Sequence, residues 1–109
     1  MNIIPERDWK KIRVMKDGIL TVACDRIIIK IEKLMKNKRF TSHEKYLNLW
    51  KLMRAEDEEI AIMFDDLKRS NAMSKLASWR RNDLLTEEMF EQFSDATKKT
   101  ITVWSGIDR

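Results

Sequence analysis

The sequence predicts an all-α protein, a helix bundle of three to four helices that forms one domain over residues 1–109. Apolar side chains recur at intervals of three and four residues along most of the chain, which is the spacing of one buried helix face. The chain contains only 2 glycines and 1 proline, too few for the many tight turns of a small β-sandwich or β-barrel. No repeat or low-complexity tract divides it, so we expect a single hydrophobic core.

The first predicted helix begins at Pro5. Proline is well suited to the first turn of a helix, and Glu6 and Asp8 place negative charge near the positive end of the helix dipole. The apolar stripe of this helix consists of Ile12, Met15, Ile19, Ala23, Ile27, Ile31 and Leu34. We therefore predict one long helix here, either continuous or kinked at Gly18.

A competing prediction for the same region is a β-hairpin that turns at Gly18. The pair Asp17-Gly18 is typical of hairpin turns, and the isoleucines of residues 27–31 favour a strand. A glycine also lowers the stability of a helix by about 1 kcal/mol. Residues 12–23 do not alternate between apolar and polar, however, and the helical stripe passes through Gly18 without a break. We therefore favour the helix.

Two further helical segments are predicted in the middle of the chain. Thr41 and Glu44 form a capping box, in which each side chain bonds to the free backbone N–H of the other residue. The helix that follows is predicted from about residue 43 to residue 69, with an apolar stripe of Tyr46, Trp50, Met53, Ile60, Met63, Phe64 and Leu67. A third segment contains Ala72, Leu76 and Trp79 and ends at Asn82-Asp83.

The last predicted helix begins after Thr86. Threonine caps helices at this position, and Glu87 and Glu88 follow in the first turn, where the helix dipole favours acidic side chains. Its apolar stripe consists of Met89 or Phe90, then Phe93, Thr97, Ile101 and Trp104, before Ser105-Gly106 ends the helix.

The charge of the chain is unevenly distributed. The net charge is +4, but residues 1–54 hold 14 Lys and Arg against 6 Asp and Glu, whereas residues 55–109 hold 8 against 12. A basic half favours contact with polyanions, and oppositely charged halves favour packing of the chain on itself or on a second copy. The candidate residues for nucleic-acid contact are Lys10, Lys11, Arg13, Lys16, Arg80 and Arg81. The last two follow Trp79 in the arrangement of single-strand binders, although Trp79 also continues an apolar stripe.

The sequence also predicts a cytoplasmic protein without a membrane segment. Because Cys24 is the only cysteine, the chain forms no internal disulfide, and no stretch near its start resembles a signal peptide. The longest apolar runs, residues 27–29 and 60–64, are far shorter than the roughly 20 residues of a membrane span.

We expect no enzymatic activity, no metal and no cofactor. Cys24 lies on an apolar flank of the first helix, so we expect it to be buried and inert. His43 is the only histidine, and we expect it to be exposed in the first turn of a helix. Acidic residues 56–59 are about two helical turns from Asp65 and Asp66, too far to share one ion. These acidic residues are expected to face solvent or to pair with the basic first helix.

A polar segment interrupts the apolar stripe near the end of the second predicted helix. The stripe predicts an apolar residue at 70 or 71, where the chain has Ser70 and Asn71. On a helix, Asp65 is spaced to pair with Arg69, and Asp66 can reach Arg69 or Ser70. Polar residues at such positions indicate either a contact with a ligand or partner or the end of a helix. The candidate contact residues are Asp65, Asp66, Arg69, Ser70 and Asn71.

These patterns favour a non-enzymatic helical interaction module. Catalytic side chains are scarce, whereas the long amphipathic helices are suited to meeting another helix. Four tryptophans occupy apolar stripes and are expected to anchor the core, although they would also suit a subunit interface; they are Trp9, Trp50, Trp79 and Trp104. We expect a protein partner or a homo-oligomer, with nucleic-acid association through the basic half as the alternative.

Overall fold

The computed structural model describes residues 4–107 of the chain. Within these residues the structure contains five α-helices and no β-strand. The helices are α1 (Glu6–Lys36), α2 (Ser42–Phe64), α3 (Ala72–Arg81), α4 (Glu87–Glu91) and α5 (Asp95–Ser105). The all-α prediction is confirmed, and the number of helices is five rather than three to four.

Helix α1 passes through Gly18 without interruption and is 31 residues long. The competing β-hairpin is therefore wrong. Ile12, Ile19 and Ala23 are buried along one side of α1, and burying them stabilises the helix by more than the roughly 1 kcal/mol that a helical glycine costs. Apart from its two chain neighbours and the backbone of its own helix, no atom of residues 4–107 lies within 4 Å of a Cβ added at Gly18, so no close contact requires glycine there.

Helices α1 and α2 form an antiparallel hairpin that turns at residues 37–41. The predicted capping box is present, because the Glu44 N–H donates to Thr41 Oγ1 at 3.1 Å and the Thr41 N–H donates to Glu44 Oε1 at 2.9 Å. The bond from the Thr41 backbone holds the pKa of the Glu44 carboxyl below its ordinary value. Lys45 Nζ donates to Met35 O at 2.7 Å and ties the two helices together beside the turn.

Helix α2 ends at Phe64, whereas the sequence predicted a helix to residue 69. Asp65 has an extended backbone and Asp66 has a positive φ of 55°. Asn71 fixes the turn that follows, because its Nδ2 donates to Asp66 O at 2.7 Å and its Oδ1 accepts from the Lys68 N–H at 2.9 Å. These local bonds compete with helix formation and end α2 early.

The predicted last helix is two helices in the structure. Thr86 caps α4 as predicted and accepts from the Met89 N–H at 3.1 Å. Ser94 begins α5, and its N–H donates to Asp8 Oδ1 at 3.1 Å while its hydroxyl donates to Asp8 Oδ2 at 2.6 Å. The Thr97 hydroxyl also donates to Asp8 Oδ2. A fully buried carboxylate from α1 thus completes the N-terminal cap of α5.

The hydrophobic core lies toward one end of the molecule, which measures 51 × 27 × 23 Å. Trp79 is central to the core. It is fully buried, its ring centre lies 5.6 Å from that of Phe64, and its Nε1 donates to Met63 O at 3.0 Å. In contrast, none of residues 24–60 is buried. We call residues 24–60 the hairpin arm, since they extend beyond the core as two helices and a turn.

Candidate interaction surface

Exposed apolar side chains are concentrated on the hairpin arm. Among the described residues, seven of the twelve large hydrophobic side chains that are exposed lie in the arm. Trp50 is 64% exposed, and Tyr46, one turn earlier on α2, is 58% exposed. Ile28 on α1 and Met53 on α2 are 53% and 43% exposed. A contiguous patch of such residues marks a binding surface, whereas single exposed hydrophobic residues do not.

Two shallow hollows show that four of these side chains, Ile28, Tyr46, Trp50 and Met53, belong to one continuous surface. The first, of about 250 Å³, lies between the helices, and its lining includes Ile28 and Ile31 of α1 and Met53 of α2, with the acidic Glu56 and Asp57 at one end. The second, of about 270 Å³, lies along α2 and also includes Met53. Because Met53 lines both hollows, the two adjoin. Met35 extends this surface by one turn of α1. We call it the apolar arm face, and its members are Cys24, Ile28, Ile31 and Met35 of α1 and Tyr46, Leu49, Trp50 and Met53 of α2.

The other side of the hairpin arm is charged. A hollow of about 320 Å³ there has Arg26, Lys30 and Glu56 in its lining. Lys30 Nζ lies 2.6 Å from Glu56 Oε1, which joins α1 to α2. Arg26 donates to the backbone carbonyls of Asn82 and Asp83 at 2.8 and 2.7 Å. These contacts hold the arm together and attach its base to the core, while the apolar arm face stays uncovered.

Two of the four tryptophans predicted to anchor the core are exposed. Trp9 and Trp79 are buried as predicted, whereas Trp50 is exposed and Trp104 is 39% exposed. On α2, the side chains that are half-buried toward α1 include Lys45, Leu49, Leu52, Glu56 and Ile60. Lys45, Leu49 and Leu52 each come one residue before a member of the predicted stripe, so the covered face is rotated relative to the predicted one. Helical spacing shows that a face is apolar, but the placement of neighbouring helices decides which of two adjacent faces is covered.

Cys24 and His43 are both exposed. The predicted burial of Cys24 is wrong, because Ala23 is the residue buried against the core at that level of α1 and Cys24 lies one position further around the helix. The prediction for His43 is confirmed, since it lies exposed in the first turn of α2.

The acidic run of α2 faces solvent along most of its length. Residues 57–59 are exposed, and Glu56 pairs with Lys30 of the basic first helix. Over residues 4–107, no group of three or more His, Cys, Asp or Glu side chains is arranged to hold a metal ion. In the same part of the chain, no helix is both long and apolar enough to cross a membrane.

The polar segment singled out in the sequence connects α2 to α3. Asp65 ends α2, Asp66 and Asn71 form the turn, and Ser70 is exposed. The predicted pairing of Asp65 with Arg69 is wrong, because it requires a helix and no helix spans these residues. Their local role is therefore to end one helix and start the next. A contact with a ligand or partner at these residues stays a prediction.

Arg69 packs on the first turn of α1. Its guanidinium donates to both carboxylate oxygens of Glu6, at 3.1 and 3.0 Å, and lies 5.7 Å from the centre of the Trp9 ring. These hydrogen bonds lower the pKa of Glu6 and raise that of Arg69. The carboxylate of Asp66, predicted to reach Arg69 or Ser70, lies 3.2 Å from Lys68 Nζ instead. Arg69 thus attaches the connection to α1.

The basic residues predicted to contact nucleic acid do not share one surface. Lys10 and Lys11 line a hollow of about 710 Å³ between α1 and α4, together with Arg7. Arg13 and Lys16 are not part of that lining, since they project from other sides of α1. The cluster that the structure forms is therefore smaller than the predicted one, and it includes Arg7, which the sequence did not single out.

Arg80 is buried, which contradicts its predicted contact with nucleic acid. Its side chain is 2% exposed, and Nη1 lies 3.0 Å from Glu87 Oε1, an ionic contact without hydrogen-bond geometry. The guanidinium lies 4.0 Å from the centre of the Phe90 ring. Arg81 is exposed and donates to Trp104 O at 3.3 Å. Helix α3 packs against α1, α2 and α5, so more of its circumference is buried than the apolar stripe predicts.

These features define a small all-α protein in which a two-helix arm extends from a helical core. A comparison with known protein families, characterised proteins and solved structures found no match to this chain. Five of the twelve large hydrophobic side chains that are exposed among the described residues lie on the apolar arm face, which makes it the main candidate for a functional surface.

Proposed function

We propose that this protein is a non-enzymatic interaction module that self-associates, with two copies joined through the apolar arm face. The supporting observation is the row of apolar side chains along one side of two antiparallel helices, of which Ile28, Met35, Tyr46, Trp50 and Met53 are exposed. Such a hairpin is half of a four-helix bundle, and a second hairpin covers its open side. We also propose the cytoplasm as its location, where an exposed thiol such as that of Cys24 stays reduced.

The composition of the face supports a specific interface. Trp50 and Tyr46 are 64% and 58% exposed, and because aromatic side chains bury about 150–250 Å² each, the pair can remove roughly 250 Å² from water in each copy. This is about a third of the roughly 800 Å² that each partner of a standard interface buries. Aromatic residues and methionine are enriched in the centres of interfaces, and the face also holds Met35 and Met53.

We expect light scattering coupled to size-exclusion chromatography to give twice the chain mass of 13.1 kDa. Trp50→Glu should produce a monomer, because dimerisation would bury a carboxylate among apolar side chains without a partner. The helical circular dichroism of this variant should be unchanged, since Trp50 is 64% exposed and makes little contact within the copy.

Ile62→Glu is the matched control for this experiment. Ile62 lies on the same helix and is 60% exposed, but it is outside the apolar arm face. This variant should keep the mass of a dimer. A wild-type protein that stays monomeric at every accessible concentration contradicts the proposal, and so does equal dissociation of the two variants.

Nucleic-acid association is the second candidate function. It is favoured by one observation, the hollow that Arg7, Lys10 and Lys11 line and to which no carboxylate of residues 4–107 contributes. Phosphate contacts by these residues would release counterions, so fluorescence anisotropy with labelled DNA and RNA should show binding that weakens steeply with salt. The double variant of Lys10→Glu and Lys11→Glu should abolish that binding. Absent or salt-insensitive binding of the wild type removes this candidate.

A further inference from the structure

We infer that the two copies join in antiparallel orientation, so that the tip of each hairpin arm lies against the base of the other. This inference rests on the proposed self-association through the apolar arm face. Ile31 and Met53 line the same hollow, at a level near the middle of the face as a whole. From this level the α1 part of the face extends toward the base as far as Cys24, and the α2 part extends toward the tip as far as Tyr46. We place a two-fold axis at this level, in the plane of the interface and perpendicular to the helices. This axis reverses the direction of the arm and sets α1 of one copy over α1 of the other.

The tip and the base of the hairpin arm carry opposite charge. Residues 33–45 at the tip contain five Lys or Arg and one Glu. The base, residues 24–30 and 54–60, contains five acids, Asp25 and the consecutive residues 56–59, against the three basic residues Arg26, Lys30 and Arg54. Within the base, Lys30 pairs with Glu56, and Arg26 is bound to backbone carbonyls of the α3–α4 connection. The tip is therefore positive and the base is negative.

Helix geometry brings two of these charges together across the axis. Lys36 is five residues from Ile31 toward the tip, and Asp25 is six residues from it toward the base. At a rise of 1.5 Å per residue, each lies about 8–9 Å from the axis along the helix. Lys36 of one copy therefore lies at the same height along the dimer as Asp25 of the other. The two residues are eleven positions apart, which is close to three helical turns, and so they project from the same side of α1.

The parallel orientation has the opposite electrostatics. It would place the basic tips of the two copies together and the acidic bases together. Like charges brought together across an interface are unfavourable, and such repulsion is a common means by which one arrangement is selected over another. The apolar side chains then supply most of the affinity, and the charges at the two ends of the arm select the antiparallel orientation.

A distance measurement between spin labels tests this orientation directly. Val14 is 84% exposed on α1 and lies outside the hairpin arm, so it can be replaced by cysteine and labelled in a Cys24→Ser background. Position 14 is 17 residues before Ile31, where the two-fold axis crosses α1. The antiparallel dimer therefore separates the two labels by about 50 Å along the arm, whereas a parallel dimer holds them within roughly 30 Å, or three helix diameters.

The native Cys24 supplies a second test in the wild-type protein. In the antiparallel dimer the two Cys24 residues lie about 20 Å apart along the helix axis, since each is seven residues from the level of Ile31. A disulfide requires the two Cα atoms to be within about 7 Å. Oxidation with copper phenanthroline should therefore leave the dimer without a covalent link. Rapid formation of a disulfide-linked dimer overturns the antiparallel orientation.

Exchanging the charges of Lys36 and Asp25 tests the orientation of the two copies separately from their association. Lys36→Asp should raise the dissociation constant about tenfold, because two exposed ion pairs become repulsive contacts. Adding Asp25→Lys to that variant should restore dimerisation, since the exchanged charges meet again across the axis. A dimer with short label distances or without this rescue contradicts the antiparallel orientation alone. A wild-type monomer contradicts both the orientation and the proposed function.

Discussion

Trp79→Ala is expected to lower the free energy of unfolding by about 3–5 kcal/mol, the range for truncating a large aromatic side chain in a core. Trp79 is fully buried, and its ring stacks on Phe64 with 5.6 Å between the ring centres. Its Nε1 also donates to Met63 O at 3.0 Å. Alanine would leave a cavity and remove this bond, so α3 would lose its main contact with the end of α2.

Urea unfolding followed by circular dichroism measures this loss. Small domains have a total stability of about 5–15 kcal/mol, so we expect the midpoint to shift strongly and part of the variant to be unfolded in buffer. The control is Trp104→Ala, because Trp104 is 39% exposed and should lose much less. Both are best measured in the Trp50→Glu background, where dimerisation does not add to stability. Equal losses for the two tryptophans would refute the central place of Trp79 in the core.

Asp8→Ala is expected to lower the free energy of unfolding by about 2–4 kcal/mol, because it leaves buried hydrogen-bond donors without an acceptor. Asp8 accepts from the Ser94 N–H, the Ser94 hydroxyl and the Thr97 hydroxyl. It is fully buried, so water does not replace the lost carboxylate freely. Since Asp8 belongs to α1 and its donors belong to the start of α5, the substitution should loosen the contact between these helices.

Asp95→Ala is the matched control for Asp8→Ala. Asp95 is also an acidic residue at the start of α5, but it is exposed. Its removal should lower the stability by only about 0.3–1 kcal/mol, the usual effect of a charge near a helix terminus. Amide hydrogen exchange should show faster exchange in α5 for Asp8→Ala and little change for Asp95→Ala. Equal effects of the two substitutions would mean that the buried carboxylate does not stabilise α5.

The sequence predicted the helices well where their signals are local. The capping box of Thr41 and Glu44, the proline before α1 and the cap at Thr86 all lie at helix starts in the structure. The break before α5 was missed because the apolar stripe continues through it, although Ser94 is a local cap whose side chain accepts from the Thr97 N–H. Ser94 has a further partner in Asp8, which is 86 residues earlier in the chain. No pattern in the sequence around Ser94 reveals that distant partner.

The candidate surface was only partly predictable. The sequence indicated a helical interaction module and noted that its tryptophans would suit an interface. It did not distinguish the exposed Trp50 from the buried Trp79, because both continue an apolar stripe. It also placed Arg80 on a surface and Cys24 in the core, whereas the structure shows the reverse. In each case the error concerns which side of a correctly predicted helix is covered.

The sequence by itself determined that the chain is helical and where most helices begin, because backbone preferences, caps and apolar spacing act over a few neighbouring residues. Only the tertiary structure decided which faces are covered, since burial depends on how separate helices pack against one another. Arg80 of α3 is buried because its guanidinium packs against Glu87 and Phe90 of α4, a helix that begins six residues after α3 ends. The hairpin arm extends past the core, so no part of residues 4–107 covers the side chains around Trp50.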